Sequence, residues 1–177
     1  NNKTTNLKQI TEMTNLVVCF FDRLKLISLS TNKLWQQLDS ILEQHKLWLE
    51  NQGGERAQLG NTDLSNLALQ DVDLRCANLI RTDFSGANLS GSNMNEADIT
   101  YANFSHANLN NTSFRDADLR NANMSHAQML NVDLLRADLF RTDFSNAQVN
   151  DSAFKRIDTG NTIIELRDPT RQCLSAK

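Results

Sequence analysis

Proline is almost missing from this 177-residue chain: Pro169 is the single one, so no proline-rich linker divides it. Glycine occurs six times and nowhere in a phosphate-cradling or dinucleotide-binding arrangement, which removes the usual nucleotide-site signatures. Aromatic residues make up only 6% of the chain. The three cysteines, Cys19, Cys76 and Cys173, are odd in number and lack metal-ligand spacing. They read as free thiols, with a Cys19–Cys173 disulfide as the alternative. No one sign of charge dominates: 21 acidic against 18 basic residues leave a net charge of −3. That is too mild to point to nucleic acid or another polyanion as partner. The most apolar run, Leu16 to Phe21, is followed by Asp22, Arg23 and Lys25. It is far shorter than the ~20 apolar residues that cross a bilayer. With no signal-peptide pattern either, a soluble cytoplasmic protein without a membrane span is expected. The chain starts at Asn1 and not at Met, which leaves room for a removed leading segment.

What is present falls into two zones. Up to residue 56 the apolar spacing is helical. Leu7, Ile10, Met13, Leu16, Val17, Phe20, Phe21 and Leu24 recur at steps of three and four. Ser30, Thr31 and Asn32 are N-cap types, and a second helix is expected through Leu34, Trp35, Leu38, Ile41, Leu42, His45, Trp48 and Leu49. Gly53-Gly54 supplies its stop.

From Ala57 the period becomes five. Every fifth residue from Leu59 to Phe154 is apolar, without insertion or deletion. Two residues before each central position stands a small or β-branched residue, as in Ala77, Thr82, Ala87 and Ser92, with Leu67 the exception. Asp or Asn usually lies between them, as in Ala77-Asn78-Leu79 and Thr82-Asp83-Phe84. Residues two apart on an extended segment share a side, so the small and the central residue point the same way. The remaining positions are mostly Asp, Asn, Ser, Gly, Arg or His, which suit turns and water. An extended triplet with a corner every five residues is one side of a polygonal coil, and a fixed short repeat marks a solenoid.

This pattern resembles the pentapeptide-repeat family, whose motif is a small residue, Asp or Asn, Leu or Phe, then two variable polar residues. The resemblance covers Ala57 to about Leu166, the last units being degraded at Thr159 and Ile164. It implies a mainly β fold, a right-handed quadrilateral β-helix with four units per coil. The expected organisation is an N-terminal α-helical cap over 1–56, the solenoid over 57–166 and a tail over 167–177. One coil alone buries too little to offset its backbone ordering, so the coils must stack and the ends need lids. Trp35, Trp48 and Leu49 are expected to cover the first end. At the other, Ile163, Ile164 and Leu166 fold over the last coil, or two chains pair there as a homodimer.

Steps of twenty sort the central residues onto four faces. Face one is centred on Leu59, Leu79, Ile99, Leu119 and Leu139, and face two on Leu64, Phe84, Phe104, Met124 and Phe144. Face three holds Leu69, Leu89, Leu109, Met129 and Val149; face four holds Leu74, Met94, Phe114, Leu134 and Phe154. All basic residues from Ala57 to Arg156 fall on faces one and four, among numerous aspartates. The plain reading is a mixed-charge, solvated wall. The sharper one is a docking surface of Ile80, Arg81, Tyr101, Arg115, Arg120, Leu135, Arg136, Phe140 and Arg141, because arginine beside aromatics is interface-like composition.

Catalytic and metal chemistry are not expected. The serine column Ser65, Ser85, Ser105, Ser125 and Ser145 consists of favoured corner residues. His106 and His126 should stack on successive coils, but a zinc site needs three or four ligands and the flanking column holds Gly86 and Asn146. His45 has no partner in view. No nucleophile–base–orienter set is present. The expected role is therefore a non-enzymatic scaffold without cofactor or metal, binding an unidentified protein partner through an outer wall. Two alternatives stand beside it. The resemblance implies one, since some pentapeptide-repeat proteins protect DNA gyrase by imitating duplex DNA; uneven charge and uninterrupted coils depart from that picture. The other is a targeting module in residues 1–56 with the rod as spacer.

Overall fold

The computed structural model describes residues 37–149. Trp35, the first expected helix, Cys19, Cys173 and the pattern-breaking C-terminal end with its pairing alternative lie outside the described residues. The chain forms two compact units, 1–41 and 42–177. Helix α1 runs over 37–49, its residues 42–49 belonging to the second unit.

The helix ends on the expected glycines. The Gln52 N–H donates to the Leu47 carbonyl at 2.9 Å, and the Glu55 N–H returns to that of Gln44 at 3.2 Å. Gly54 has φ +75°, and a Cβ there would sit 2.2 Å from the Gln44 carbonyl oxygen. Only glycine fits so close a backbone return.

Beyond it the chain coils into a solenoid with twenty residues per turn. Parallel bridges join Gln58 to Asn78, Asp63 to Asp83, Ala68 to Asn88 and Asp73 to Asn93, and so on up the column. In the last described turns the bridges lengthen into strands β1 (Gln128–Met129) and β2 (Gln148–Val149), paired in parallel. Each central residue donates its N–H to the next coil, as Leu79 does to Asp98 at 2.8 Å, while its predecessor donates to the coil before, as Asn78 does to Ala57 at 3.0 Å.

Central side chains from Leu59 to Phe144 are all buried. On face two Phe84 and Phe104 stack with centroids 5.0 Å apart, and Phe114 meets Phe104 edge-on at 5.9 Å. The small positions from Ala77 to Val132 are buried as well, which explains their size limit. Where they carry a hydroxyl, it binds the central carbonyl of the coil before: Thr82 to Leu59, Thr112 to Leu89 and Thr142 to Leu119 at 2.8 Å, Ser92 to Leu69 at 2.9 Å.

The Asp/Asn position closes the corner. Its side-chain oxygen accepts the N–H two residues on, as Asp83 does from Ser85 at 2.9 Å and Asn103 from Ser105 at 3.1 Å. Where this residue is Ser113 or Gln128, an asparagine of the preceding coil takes over. Asn95 accepts the Arg115 N–H at 3.0 Å, and Asn110 accepts the Leu130 N–H at 2.8 Å.

Candidate functional site

The central side chains from Leu59 to Phe144 fill the interior of the tube, so what it presents outward is its faces and four edges. Each edge is a turn of two residues between consecutive faces. The N–H after the turn usually returns to the central carbonyl, as Thr82 does to Leu79 at 3.1 Å and Thr112 to Leu109 at 3.1 Å. No such bond closes the turns before Leu67, Val72 and Val132 among the described residues, all three positions holding larger side chains. The second turn residue is left-handed in every unit from Asn61 to Asn146, with φ of +56° to +62° at non-glycine positions. The period of five therefore carries a backbone demand that the sequence reading did not identify.

That demand sorts the edges. A left-handed residue other than Gly, Asn or Asp costs about 1–2 kcal/mol. The third edge avoids the cost, holding Asp71, Gly91, Asn111 and Asn131 there. The first edge, between faces one and two, holds Arg81, Tyr101 and Arg141 with Asn61 and Asn121. The second carries His106 and His126; the fourth carries Cys76, Glu96, Asp116 and Arg136.

The nine residues expected to form a docking surface divide between the two edges that flank face one. Ile80, Arg81, Tyr101, Arg120, Phe140 and Arg141 lie on the first edge; Arg115, Leu135 and Arg136 lie on the fourth. Tyr101 is 55% exposed and Phe140 47%, whereas Ile80 and Leu135 are half-buried. On the third edge Leu130 is 45% exposed, a feature the charge-led reading overlooked. Among the cap residues Trp48 is exposed and Leu49 half-buried.

The arginines differ in what they already hold. Arg115 pairs with Asp133 at 3.0 Å, Arg136 with Asp116 at 2.5 Å, and Arg120 with Asp118 at 2.5 Å and Asp138 at 3.6 Å. Hydrogen bonds from Arg136 and Arg120 hold the Asp116 and Asp118 carboxyls below the usual range. These pairs are exposed and contribute little to stability. Arg75 is occupied in the same way by Asp73 at 2.7 Å. Arg81 and Arg141 have no ion pair among the described residues. Their guanidiniums lie over aromatic rings instead, Arg81 over Tyr101 at 5.4 Å and Arg141 over Phe140 at 5.1 Å.

His106 and His126 stack as expected, 4.7 Å apart and 7° from parallel. Among the described residues no group of three His, Cys, Asp or Glu is placed to hold a metal ion. No described helix is long and apolar enough to cross a membrane. Cys76 is a free thiol, half-buried, and burial with the nearby Glu96 carboxylate pushes its pKa up. It is thus a poor nucleophile.

The family model for pentapeptide repeats matches in eight copies over residues 55–91, 77–116, 97–134 and 117–156. No curated protein matches the chain. Among solved structures, HetL, a pentapeptide repeat protein involved in heterocyst differentiation regulation from the cyanobacterium Nostoc sp. PCC 7120, is 30% identical with a TM-score of 0.51. That match covers 53% of this chain and 45% of HetL. Rfr23, from the cyanobacterium Cyanothece 51142, is 28% identical over 54% of this chain and 58% of its own, with a TM-score of 0.35. QnrB1, a plasmid-mediated fluoroquinolone resistance protein, is 18% identical over 58% of this chain and 63% of its own, with a TM-score of 0.28. The chain spans less than two thirds of each of these three proteins.

Proposed function

The chain belongs to the pentapeptide-repeat family, and on that footing we propose that it is a non-enzymatic scaffold that binds another protein through its first edge. The observation that carries this reading is the residue choice at one backbone position. Arg81, Tyr101 and Arg141 occupy left-handed corners that Gly or Asn would fill at lower cost. Such strain persists where the projected side chain has a use. These residues also carry what an interface hot spot needs, cations with no ion pair among the described residues and exposed rings beside them. Arg115, Arg120 and Arg136, already engaged by aspartates, form the rim.

Residues 1–56 complete the scaffold as an N-terminal cap, with 57–166 as the repeat and 167–177 as a tail. Support for the cap comes from the bond between the Ala57 N–H and the His45 ring, 3.1 Å long, which ties the helix to the first coil. The duplex-DNA-imitating alternative draws less support, because its surface would have to be acidic along the edge where Arg81 and Arg141 stand. The test is affinity capture with the full chain, read by mass spectrometry. Phe140→Asp with Arg141→Glu removes the captured partner, whereas Leu130→Asp on the opposite edge retains it. Equal capture by all three proteins refutes the first-edge reading.

A further inference from the structure

A histidine ties residues 42–49 of helix α1 to the first coil, and its hydrogen bonding suits the neutral ring. His45 is completely buried. Its Nδ1 accepts the Ala57 N–H at 3.1 Å, at the start of the first coil. An accepting Nδ1 places the ring's proton on Nε2, and Nε2 is itself buried with no partner within hydrogen-bond distance among the described residues. Trp48 covers one ring face, centroids 5.7 Å apart and 12° from parallel. A second proton would convert Nδ1 from acceptor to donor and set it against the Ala57 N–H. The ring would have to leave its site to be solvated.

The charged groups around it do not reverse this. Burial is the largest influence and pushes the His45 pKa below its ordinary 6.5; the Arg75 backbone and the Asp73 carboxylate oppose it, and the Arg56 and Arg75 guanidiniums add to it. On its own helix Glu43 and Lys46 are exposed, as is Glu50 just past its end. Burial works against ionisation of Asp73, but its hydrogen bonds from Arg75 prevail and hold its pKa low, so Asp73 keeps its charge in mildly acidic solution. A lowered folded-state pKa means that the stability His45 contributes is complete above the ordinary histidine value. It is lost as pH falls through the folded value.

We propose that His45 is an acid-sensitive latch, whose protonation frees residues 42–49 from the first coil and uncovers the apolar end of the tube. This stands on the helix–coil contact alone and is independent of the partner-binding reading.

Amide hydrogen exchange on the full chain tests it, with Leu109, deep in the solenoid, as internal reference. Ala57 protection relative to Leu109 should fall about tenfold between about pH 7 and pH 5. His45→Gln, whose side-chain oxygen can accept the Ala57 N–H without titrating, should abolish that fall. The double variant His106→Asn/His126→Asn should leave it intact. Unchanged Ala57 protection at the lower pH overturns the proposal, as does the same fall in His45→Gln or its loss in the double variant. Should His45→Gln fail to fold, the wild-type ring decides. Titration of the His45 Cε1 proton at or above 6.5 overturns the latch, and titration below it, together with loss of Ala57 protection, sustains it.

Discussion

The first and third edges of this solenoid share a backbone and differ in what they display. Both turn through a left-handed residue in each coil. Both are followed by positions where a buried hydroxyl locks onto the coil before, Thr82 and Thr142 after the first, Ser92 and Thr112 after the third. Yet the third edge holds residues suited to the turn, and the first holds arginines and a tyrosine that are not. Identical geometry with unequal residue choice separates what the fold requires from what has been added to it. The tube requires small and apolar residues inside and tolerates much at the corner, at a cost small enough for many coils to share.

Four substitutions probe that contrast, read by thermal and urea unfolding. The largest effect should come from the interior common to both edges. Phe104→Ala removes the ring between Phe84 and Phe114 and should cost about 3–5 kcal/mol, whereas Phe140→Ala on the exposed first edge should stay within about 0.5 kcal/mol. Comparable losses from the two would mean that the first edge is structural. Next, Asn111→Ile on the third edge forces a β-branched residue to φ +61° and should cost about 1–2 kcal/mol. No loss would remove the strain argument for the first edge. Among the substitutions at structural positions, the mildest is Thr112→Val. It deletes the bond to the Leu89 carbonyl, but that carbonyl keeps the Ser92 N–H at 3.1 Å, so about 1 kcal/mol should be lost.

The legible and illegible parts of the molecule divide along physical lines. The column from Leu59 to Phe144 was readable because burial tolerates only apolar side chains, and a strict period leaves them one place to go. The role of Asp83 or Asn103 at the corner was readable in kind, since such side chains bond the backbone two residues on. The takeover by Asn95 and Asn110 was not, because it depends on which residue lies one coil away. Among the candidate site residues the sequence placed all nine on neighbouring faces. It did not distinguish Arg81 and Arg141 from Arg115, Arg120 and Arg136, whose carboxylate partners lie in the same unit, eighteen residues away or twenty residues away. Leu130 is not marked out because its edge carries no basic residue. His45 looked partnerless because its acceptor bond spans a tight glycine return.

By itself, then, the chain's spacing determined a stacked polygonal coil and its period of five, while its four sides came from the family resemblance and from the bridges twenty residues apart. Tertiary structure alone decided the handedness of each corner residue, the pairing of Arg115, Arg120 and Arg136 with carboxylates and the burial of His45. Those depend on neighbours brought together by coiling, and distance along a sequence does not encode side-chain direction in space.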